Sequence, residues 1–340
     1  MTLKIDLETP REKPSYAHLL LTRSCNLRCP QCFVDAGLPM EGEMNTHELL
    51  KAADDLIAMG IRTVHVEGGE ALLAPEADIV LKRLADNVPD VLLVTNGTRV
   101  DRAYAKRLKD AGLKQVALSL DGARAETHDK FRPKNFEKVV NAIGYLRDEG
   151  LGVRISTTLM KPNVREAVEL MEKCLDWGIR ILNYDAFDRI GRGLDHPELM
   201  LDEEDWKWLA ANLLPRSIEV SDRMQLKVAI PSKYVRLLGI NRDDPHYEWI
   251  YCSSGLSQLE IMPNGDVIPC FVLCTTPEYV AGNIKEQSLA EIWHESPYME
   301  YYRKLPLAKR CPMGYHGHLF FSNVRVPGGM DEFGALGPVQ

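Results

Sequence analysis

No uninterrupted apolar run in this 340-residue chain approaches the ~18 residues that a membrane-spanning helix needs. The stretch from Met1 to Lys13 is charged and lacks the apolar core of a secretion signal. No segment repeats, and no tract is of low complexity. Basic charge is short as well: 41 Lys and Arg stand against 49 Asp and Glu, a net charge of −8. That balance argues against a nucleic-acid surface as the main partner. The absences together predict a cytoplasmic protein with neither a membrane nor a nucleic acid as partner. Hydrophobic content of 45% and charged content of 26% are ordinary for a globular chain, and the length allows one large domain or two with a substantial core.

What the chain does have is cysteine, eight in all, seven of them in two groups. In a reducing compartment, close-set cysteines are metal ligands or reactive thiols more often than disulfides. Cys25, Cys29 and Cys32 follow an apolar run at C-x3-C-x2-C spacing, and Cys252, Cys270, Cys274 and Cys311 lie toward the end. Cys174, alone in a helical stretch, reads as a small buried apolar residue. Three thiolates on one short loop can hold three irons of a cubane cluster and leave the fourth without a protein ligand. An open position on a redox metal points to catalysis. The same triplet can belong to a zinc site, but no fourth nearby Cys or His completes a tetrahedron.

Between residues 17 and 187, six strand candidates (17–22, 63–67, 91–95, 115–120, 153–158 and 180–186) alternate with helical stretches (46–59, 75–87, 101–111, 135–149 and 164–177). Gly60, Gly112, Gly150 and Gly178 sit where left-handed C-terminal caps belong, and Asn45 with Glu48 fits a capping box. The near-continuous apolar strands predict a parallel sheet covered by helices, with right-handed crossovers. Six units are too few for a closed eight-stranded barrel, so the expected fold is α/β, an open partial (β/α)6 barrel. Ligands gather at the C-terminal ends of such strands, and the cysteine loop lies at the end of the first.

Beyond Gly193 the stretch 202–214 reads as a helix and 226–230 as a strand. After residue 252 the elements shorten, and 259–262 and 267–269 flank the turn Pro263-Asn264-Gly265-Asp266 as a hairpin. The expected organisation is an N-terminal extension (1–14), the barrel (15–240), a small α+β domain (241–327) and a flexible tail (328–340).

Taken in order, these motifs resemble the radical S-adenosylmethionine (radical SAM) superfamily over roughly residues 15–195. Cys25, Cys29 and Cys32 match its cluster ligands, and Phe33 stands in the place of the aromatic that contacts the adenine. Glu67-Gly68-Gly69-Glu70 matches the segment that binds the amino group of SAM, with Gly68 and Gly69 expected to let the backbone approach that ligand. Val94-Thr95-Asn96-Gly97 and Leu118-Ser119-Leu120-Asp121-Gly122 resemble the ends of the third and fourth strands. The resemblance implies Asn96, Ser119, Asp121 and Thr157 (or Thr158) as cofactor contacts, although Ser119 and Asp121 also read as a turn and helix cap. Arg189-Ile190-Gly191-Arg192-Gly193 is similar to the glycine-arginine element that passes the adenine. Phe131-Arg132-Pro133 departs from the arginine-glycine often found there, at a place expected to be peripheral to the cluster.

The resemblance implies a [4Fe–4S] cluster, SAM on its open iron, and a flavodoxin or ferredoxin-type electron donor. Reductive cleavage of SAM would give methionine and a 5′-deoxyadenosyl radical that takes hydrogen from an unactivated C–H bond, the cofactor carrying the hard chemistry.

Cys252-x12-Gly265-x4-Cys270, followed by Gly282-Asn283-Ile284 and Ser288-Leu289-Ala290-Glu291-Ile292-Trp293, resembles the SPASM/twitch auxiliary-cluster extension over about residues 250–313. Only Cys311-Pro312-Met313-Gly314 remains of a dense terminal cysteine series, which is more like a twitch domain with one auxiliary [4Fe–4S] cluster. Its implied ligands are Cys252, Cys270 and Cys311, with Cys274 completing the set; otherwise an iron stays open for substrate, or His316 or His318 binds it. If it is not a ligand, Cys274 is a catalytic thiol that returns a hydrogen atom to a substrate radical. The implied activity is an oxidoreductase that dehydrogenates a small molecule, such as a sugar or natural-product intermediate. Peptide maturation, epimerisation and decarboxylation remain open, and the short stretch before the first strand favours a small molecule over a peptide. A non-enzymatic iron–sulfur or zinc scaffold is the reading of another class, and it leaves Gly68-Gly69-Glu70 unexplained.

Overall fold

The computed structural model describes residues 12–241, 244–251, 253–274, 277–305 and 317–323. The first half alternates as expected: β1 (Tyr16–Leu20), α1 (Thr46–Ala58), β2 (Thr63–Glu67), α2 (Ala77–Ala85), β3 (Asp90–Thr95), α3 (Arg102–Asp110), β4 (Gln115–Ser119), α4 (Ala125–Phe131), α5 (Phe136–Asp148), β5 (Gly152–Leu159), α6 (Ala167–Asp176), β6 (Ile181–Ala186), α7 (Glu203–Glu219) and β7 (Gln225–Pro231). There follow a single turn α8 (Ser232–Val235), β8 (Tyr247–Tyr251), β9 (Gln258–Ile261), β10 (Asp266–Ile268), β11 (Gly282–Asn283), α9 (Leu289–Glu295), α10 (Pro297–Lys304) and β12 (Gly317–Ser322).

From β1 to β7 each strand pairs in parallel with the next in sequence, the partial barrel expected of consecutive βα units. The later strands continue this sheet at both edges. β9 runs parallel to β1 and leads through β10 to β11, while β12 lies antiparallel to β7 and carries β8. The hairpin expected around Pro263 is β9–β10.

Period-2 alternation sets the two faces of the sheet. Ala17, Leu19, Val64, Val66, Val116 and Leu118 face the helices and bury there with Leu49, Leu56, Leu81 and Leu108. Each such leucine contributes about 1.5–3 kcal/mol. The opposite face lines the barrel, and it carries Tyr16, His18, His65, Glu67, Arg154 and Glu260.

Asn45 and Glu48 form the expected capping box of α1, and Gly60, Gly112, Gly150 and Gly178 all adopt left-handed φ between 68° and 90°. Cys174 is fully buried in α6. One helix outruns expectation: α7 continues through Pro215 to Glu219. Proline removes a backbone donor, but Leu213, Leu214 and Ser217 are buried, and Asn323 Nδ2 donates to Ser217 O (2.7 Å) and Met224 O (2.8 Å), fixing the extra turn. The short α4 is too brief and polar to show a period in the sequence.

Candidate active site

The cysteine loop leaves β1 and is zipped along the end of β2. Leu21 N donates to Glu67 O (2.9 Å), Gly69 N to Thr22 O (2.7 Å) and Glu70 N to Ser24 O (2.9 Å). A Cβ at Gly68 would lie 2.6 Å from Thr22 O, and one at Gly69 would lie 2.4 Å from Arg23 O. The close approach read from these glycines is therefore made to the chain's own loop. Cys25 N donates to Gly37 O (3.0 Å) and closes the loop, and Cys32 N donates to Cys29 O (3.2 Å). The Glu43 carboxylate, which no motif singled out, accepts from Thr22 Oγ1 (2.7 Å), Arg23 N (2.7 Å) and Met40 N (2.8 Å).

The sulfurs receive donors. Leu27 N points at Cys25 Sγ (3.4 Å), Ala36 N at Cys32 Sγ (3.2 Å) and Asn96 Nδ2 at Cys25 Sγ (3.8 Å). Such bonds tune cluster thiolates. Burial pushes the Cys25 thiol up, and it takes Cys29 to about 11, so bare thiolates are disfavoured here without a compensating cation. Thiols grouped on one loop with amides aimed at their sulfurs fit an iron–sulfur cluster.

Around this loop the strand ends form a polar frame. Glu70, 1% exposed, accepts from Thr95 Oγ1 (2.7 Å), Leu72 N (3.1 Å) and Asn96 N (2.8 Å), so its carboxylate anchors the end of β3. Asn96 also donates to Asn26 Oδ1 (3.0 Å). Asp121, 0% exposed, accepts from Gln31 Nε2 (2.7 Å), Arg132 Nε (2.6 Å) and Thr158 N (2.9 Å). Thr157 donates its hydroxyl to Leu120 O (2.7 Å), a tie between strands, while Ser119 stands half-buried at the end of β4 opposite Ser156.

Arg132 corrects the expectation of a peripheral position. Its side chain is 15% exposed and paired with buried Asp121. Burial opposes its charge, but Asp121 and the nearby Cys29 and Cys32 outweigh that and hold the guanidinium protonated. The proline that breaks the arginine-glycine pattern leaves this arginine in place.

The glycine-arginine element closes the loop from the far side. Gly191 has φ +55°, and a Cβ there would lie 2.2 Å from Phe33 O. Arg192 N donates to Cys32 O (3.0 Å), its Nη1 to Cys29 O (2.8 Å) and its Nη2 to Ala36 O, beside an ion pair with Asp35 (2.7 Å). Arg192 clamps the carbonyls of the cysteine loop.

The C-terminal group reaches the same place. Phe271 packs edge-on against Phe33, with ring centroids 5.5 Å apart, and Cys274 Sγ donates to Phe33 O (3.2 Å). Cys25, Cys32, Cys270 and Cys274 pack around one small apolar cluster with Leu20, Val34 and Leu273. A cavity of about 270 Å³ opens between the loop and the β9–β10 hairpin, lined by Leu20, Thr22, Val34, Met262 and Cys274. Burial pushes the Cys274 thiol up to about 12. Cys252, Cys311 and His316 lie outside the described residues, as does the side chain of His318.

Sequence reasoning missed the ionisable lining of the barrel. His18 Nδ1 lies 2.8 Å from Glu67 Oε1 and 3.8 Å from Glu260 Oε2, and Tyr16 OH lies 2.7 Å from His65 Nδ1. Burial opposes a charge on His18, but Glu260 and Glu67 outweigh it and push its pKa up to about 9. Burial also lifts Glu260 to about 7 and lowers His65. The signal was present in the alternation of β1 and β2, where polar residues occupy the face opposite the core.

The profile of the Radical SAM superfamily matches residues 19–174, and that of the SPASM iron–sulfur cluster-binding domain matches residues 252–313. The chain is 28% identical over 285 residues to the antilisterial bacteriocin subtilosin biosynthesis protein AlbA of Bacillus subtilis, covering 83% of this chain and 60% of that protein. It is 30% identical over 276 residues to the GTP 3',8-cyclase of Aliarcobacter butzleri, covering 76% of this chain and 80% of the relative. Streptococcus suis SuiB, solved with its precursor peptide SuiA, shares the fold with a TM-score of 0.73 at 16% identity, over 87% of this chain and 68% of SuiB.

Fold and site define an enzyme that works through SAM and [4Fe–4S] clusters, an auxiliary one included. The chain belongs to the radical SAM superfamily and carries a SPASM domain at its C-terminal end. No helix among the described residues is long and apolar enough to cross a membrane.

Proposed function

We propose that this enzyme carries out a net two-electron oxidation, a dehydrogenation, of a small polar molecule held against the barrel's inner face. Cys25, Cys29 and Cys32 would hold the SAM cluster, and Cys252, Cys270, Cys274 and Cys311 the auxiliary one. Phe33, the Gly68-Gly69 turn, Asn96 and Ser119 would border SAM, with Glu70, Asp121, Thr157 and Arg192 fixing the frame around it. When bound, these groups supply a hydrogen-abstracting 5′-deoxyadenosyl radical and a nearby electron acceptor.

The observation that carries this reading is the contact between the two cysteine regions: Phe271 on Phe33, and the Cys274 thiol on the Phe33 carbonyl. An electron left on substrate beside the cysteine loop has a short path to the C-terminal site. The inner face supports a polar substrate, because His18, His65, Glu67 and Glu260 offer hydrogen bonds there in place of apolar packing. In the balanced reaction one substrate hydrogen atom would pass to the 5′-deoxyadenosyl group, the second would leave as a proton, and its electron would go to the auxiliary cluster, offsetting the electron spent on cleaving SAM to methionine and 5′-deoxyadenosine.

The test is anaerobic incubation of the reconstituted enzyme with SAM, reductant and the small-molecule fraction of a source-cell extract. Stimulated release of 5′-deoxyadenosine, with a product short of two hydrogens, is expected. Stimulation by the peptide fraction alone would favour the second reading, peptide modification, to which the similarity to AlbA points. An isomeric product, or one short of carbon dioxide, would replace dehydrogenation by epimerisation or decarboxylation.

A further inference from the structure

We propose that His18, His65 and Glu67 form a site for one divalent transition-metal ion, zinc by its donor set, on the inner face of the barrel.

The three residues come from adjacent strands in register: His18 of β1 pairs with His65 of β2, and Glu67 lies two residues further along β2 on the same face. Their ligand atoms all lie within 4.8 Å of one another. Donors around a tetrahedral zinc with bonds of about 2.1 Å stand roughly 3.4 Å apart. Glu67 Oε1 is 2.8 Å from His18 Nδ1 and 3.7 Å from His65 Nδ1, spacings that bracket this value. Two imidazoles and one carboxylate make up a set that zinc takes when one position is left for water or substrate.

A second observation points to a cation. Glu260, 0% exposed, turns Oε2 toward His18 at 3.8 Å, and that oxygen has no hydrogen-bond partner among the described residues. Two carboxylates, Glu67 on β2 and Glu260 on β9, thus flank His18 on the inner face. Burying like charges together is costly unless a cation offsets them. Binding would displace the Tyr16 hydroxyl from His65 Nδ1, at a cost of about one hydrogen bond. Glu260 would then accept a hydrogen bond from whatever takes the open position.

The experiment uses the holoenzyme with its iron–sulfur clusters reconstituted, equilibrated with Zn²⁺ and dialysed. Zinc and iron per chain are measured together, and crystals are examined by anomalous diffraction above and below the zinc edge. The expected result is one zinc per chain, with its anomalous peak between His18, His65 and Glu67. His65→Ala and Glu67→Gln should each weaken zinc binding tenfold or more with iron unchanged, while Tyr16→Phe should retain it. A wild-type crystal with no zinc peak there, or with zinc only at cysteines, overturns the proposal even if every variant misfolds. Equal zinc in wild type and a folded His18→Ala/Glu67→Gln double variant also overturns it. None of these readouts depends on turnover, so failure of the dehydrogenase reading would leave them interpretable.

Discussion

The two cysteine regions of this enzyme are built in opposite ways. The first is a loop whose carbonyls and amides are bound from four directions: by the Gly68–Glu70 turn, Glu43, Asn96 and Arg192. Its sulfurs receive N–H groups. The second follows a short hairpin strand and reaches outward to the first: the Cys274 thiol donates to Phe33 O, and Phe271 packs on the Phe33 ring. The difference teaches that the first site is organised by the barrel itself, whereas the second leans on the first. Damage should therefore travel from the first region to the second more readily than in reverse.

The hardest break is Cys29→Ala. Loss of one of three ligands should abolish release of 5′-deoxyadenosine from SAM and lower iron from about eight per chain toward about four. Release at the wild-type rate would end the assignment of this loop. A triple Cys25→Ala, Cys29→Ala, Cys32→Ala variant that holds no iron would show the second region unable to keep a cluster by itself, sharpening the asymmetry beyond what is expected.

Next comes Arg132→Ala, which strands the Asp121 carboxylate among Gln31 and Thr158. Removing one partner of a buried pair costs about 3–5 kcal/mol. Chemical denaturation should show that loss, and Arg132→Lys should recover part of it. A change below about 1 kcal/mol, the size of an exposed pair, would return Arg132 to the periphery.

Much of this was legible beforehand, for identifiable reasons. Parallel strands, capping residues and cysteine spacing are local patterns, and they appear where the sequence places them. The roles of Glu70, Asp121 and Arg192 were harder to read. A motif says that a carboxylate or guanidinium sits beside the cofactor loop, not whether it faces ligand or chain, and here each is engaged by backbone or side-chain partners. Arg132 was obscured because Pro133 broke the expected pair while leaving the functional half intact. His18, His65 and Glu260 carry no motif, since they meet only through strand register: β9 joins β1 from about 240 residues away along the chain.

A smaller effect tests the frame through pH. His128 is buried in α4, and its Nδ1 accepts from Asp121 N (2.9 Å). Burial lowers its pKa to about 4, against an ordinary value of 6.5. The neutral ring therefore contributes stability that is complete above about pH 6.5 and lost as pH falls toward about 4, by up to about 3 kcal/mol. Glu260, lifted to about 7, titrates with the opposite sign over the same interval, so the readout is a difference: between about pH 7 and about pH 5 wild type should lose more stability, or gain less, than His128→Gln. The same pH response in wild type and His128→Gln would mean that the ring does not support Asp121 as the geometry implies.

The least disruptive change bears most directly on the comparison. Cys274→Ser keeps the shape of the side chain and its hydrogen bond to Phe33 O, so the cysteine loop should be untouched and 5′-deoxyadenosine release should stay near wild type. If Cys274 is an auxiliary ligand, iron should fall while the SAM-cluster share remains, because a serine oxygen is a poor substitute for thiolate. If iron is unchanged and product formation fails while SAM is still cleaved, Cys274 is instead the thiol that returns hydrogen to a substrate radical. Its proton already points at the carbonyl of Phe33, whereas the sulfurs of Cys25 and Cys32 accept hydrogen bonds. A thiol that donates in this structure must lose that proton to ligate iron, and the iron count of one variant decides between the two.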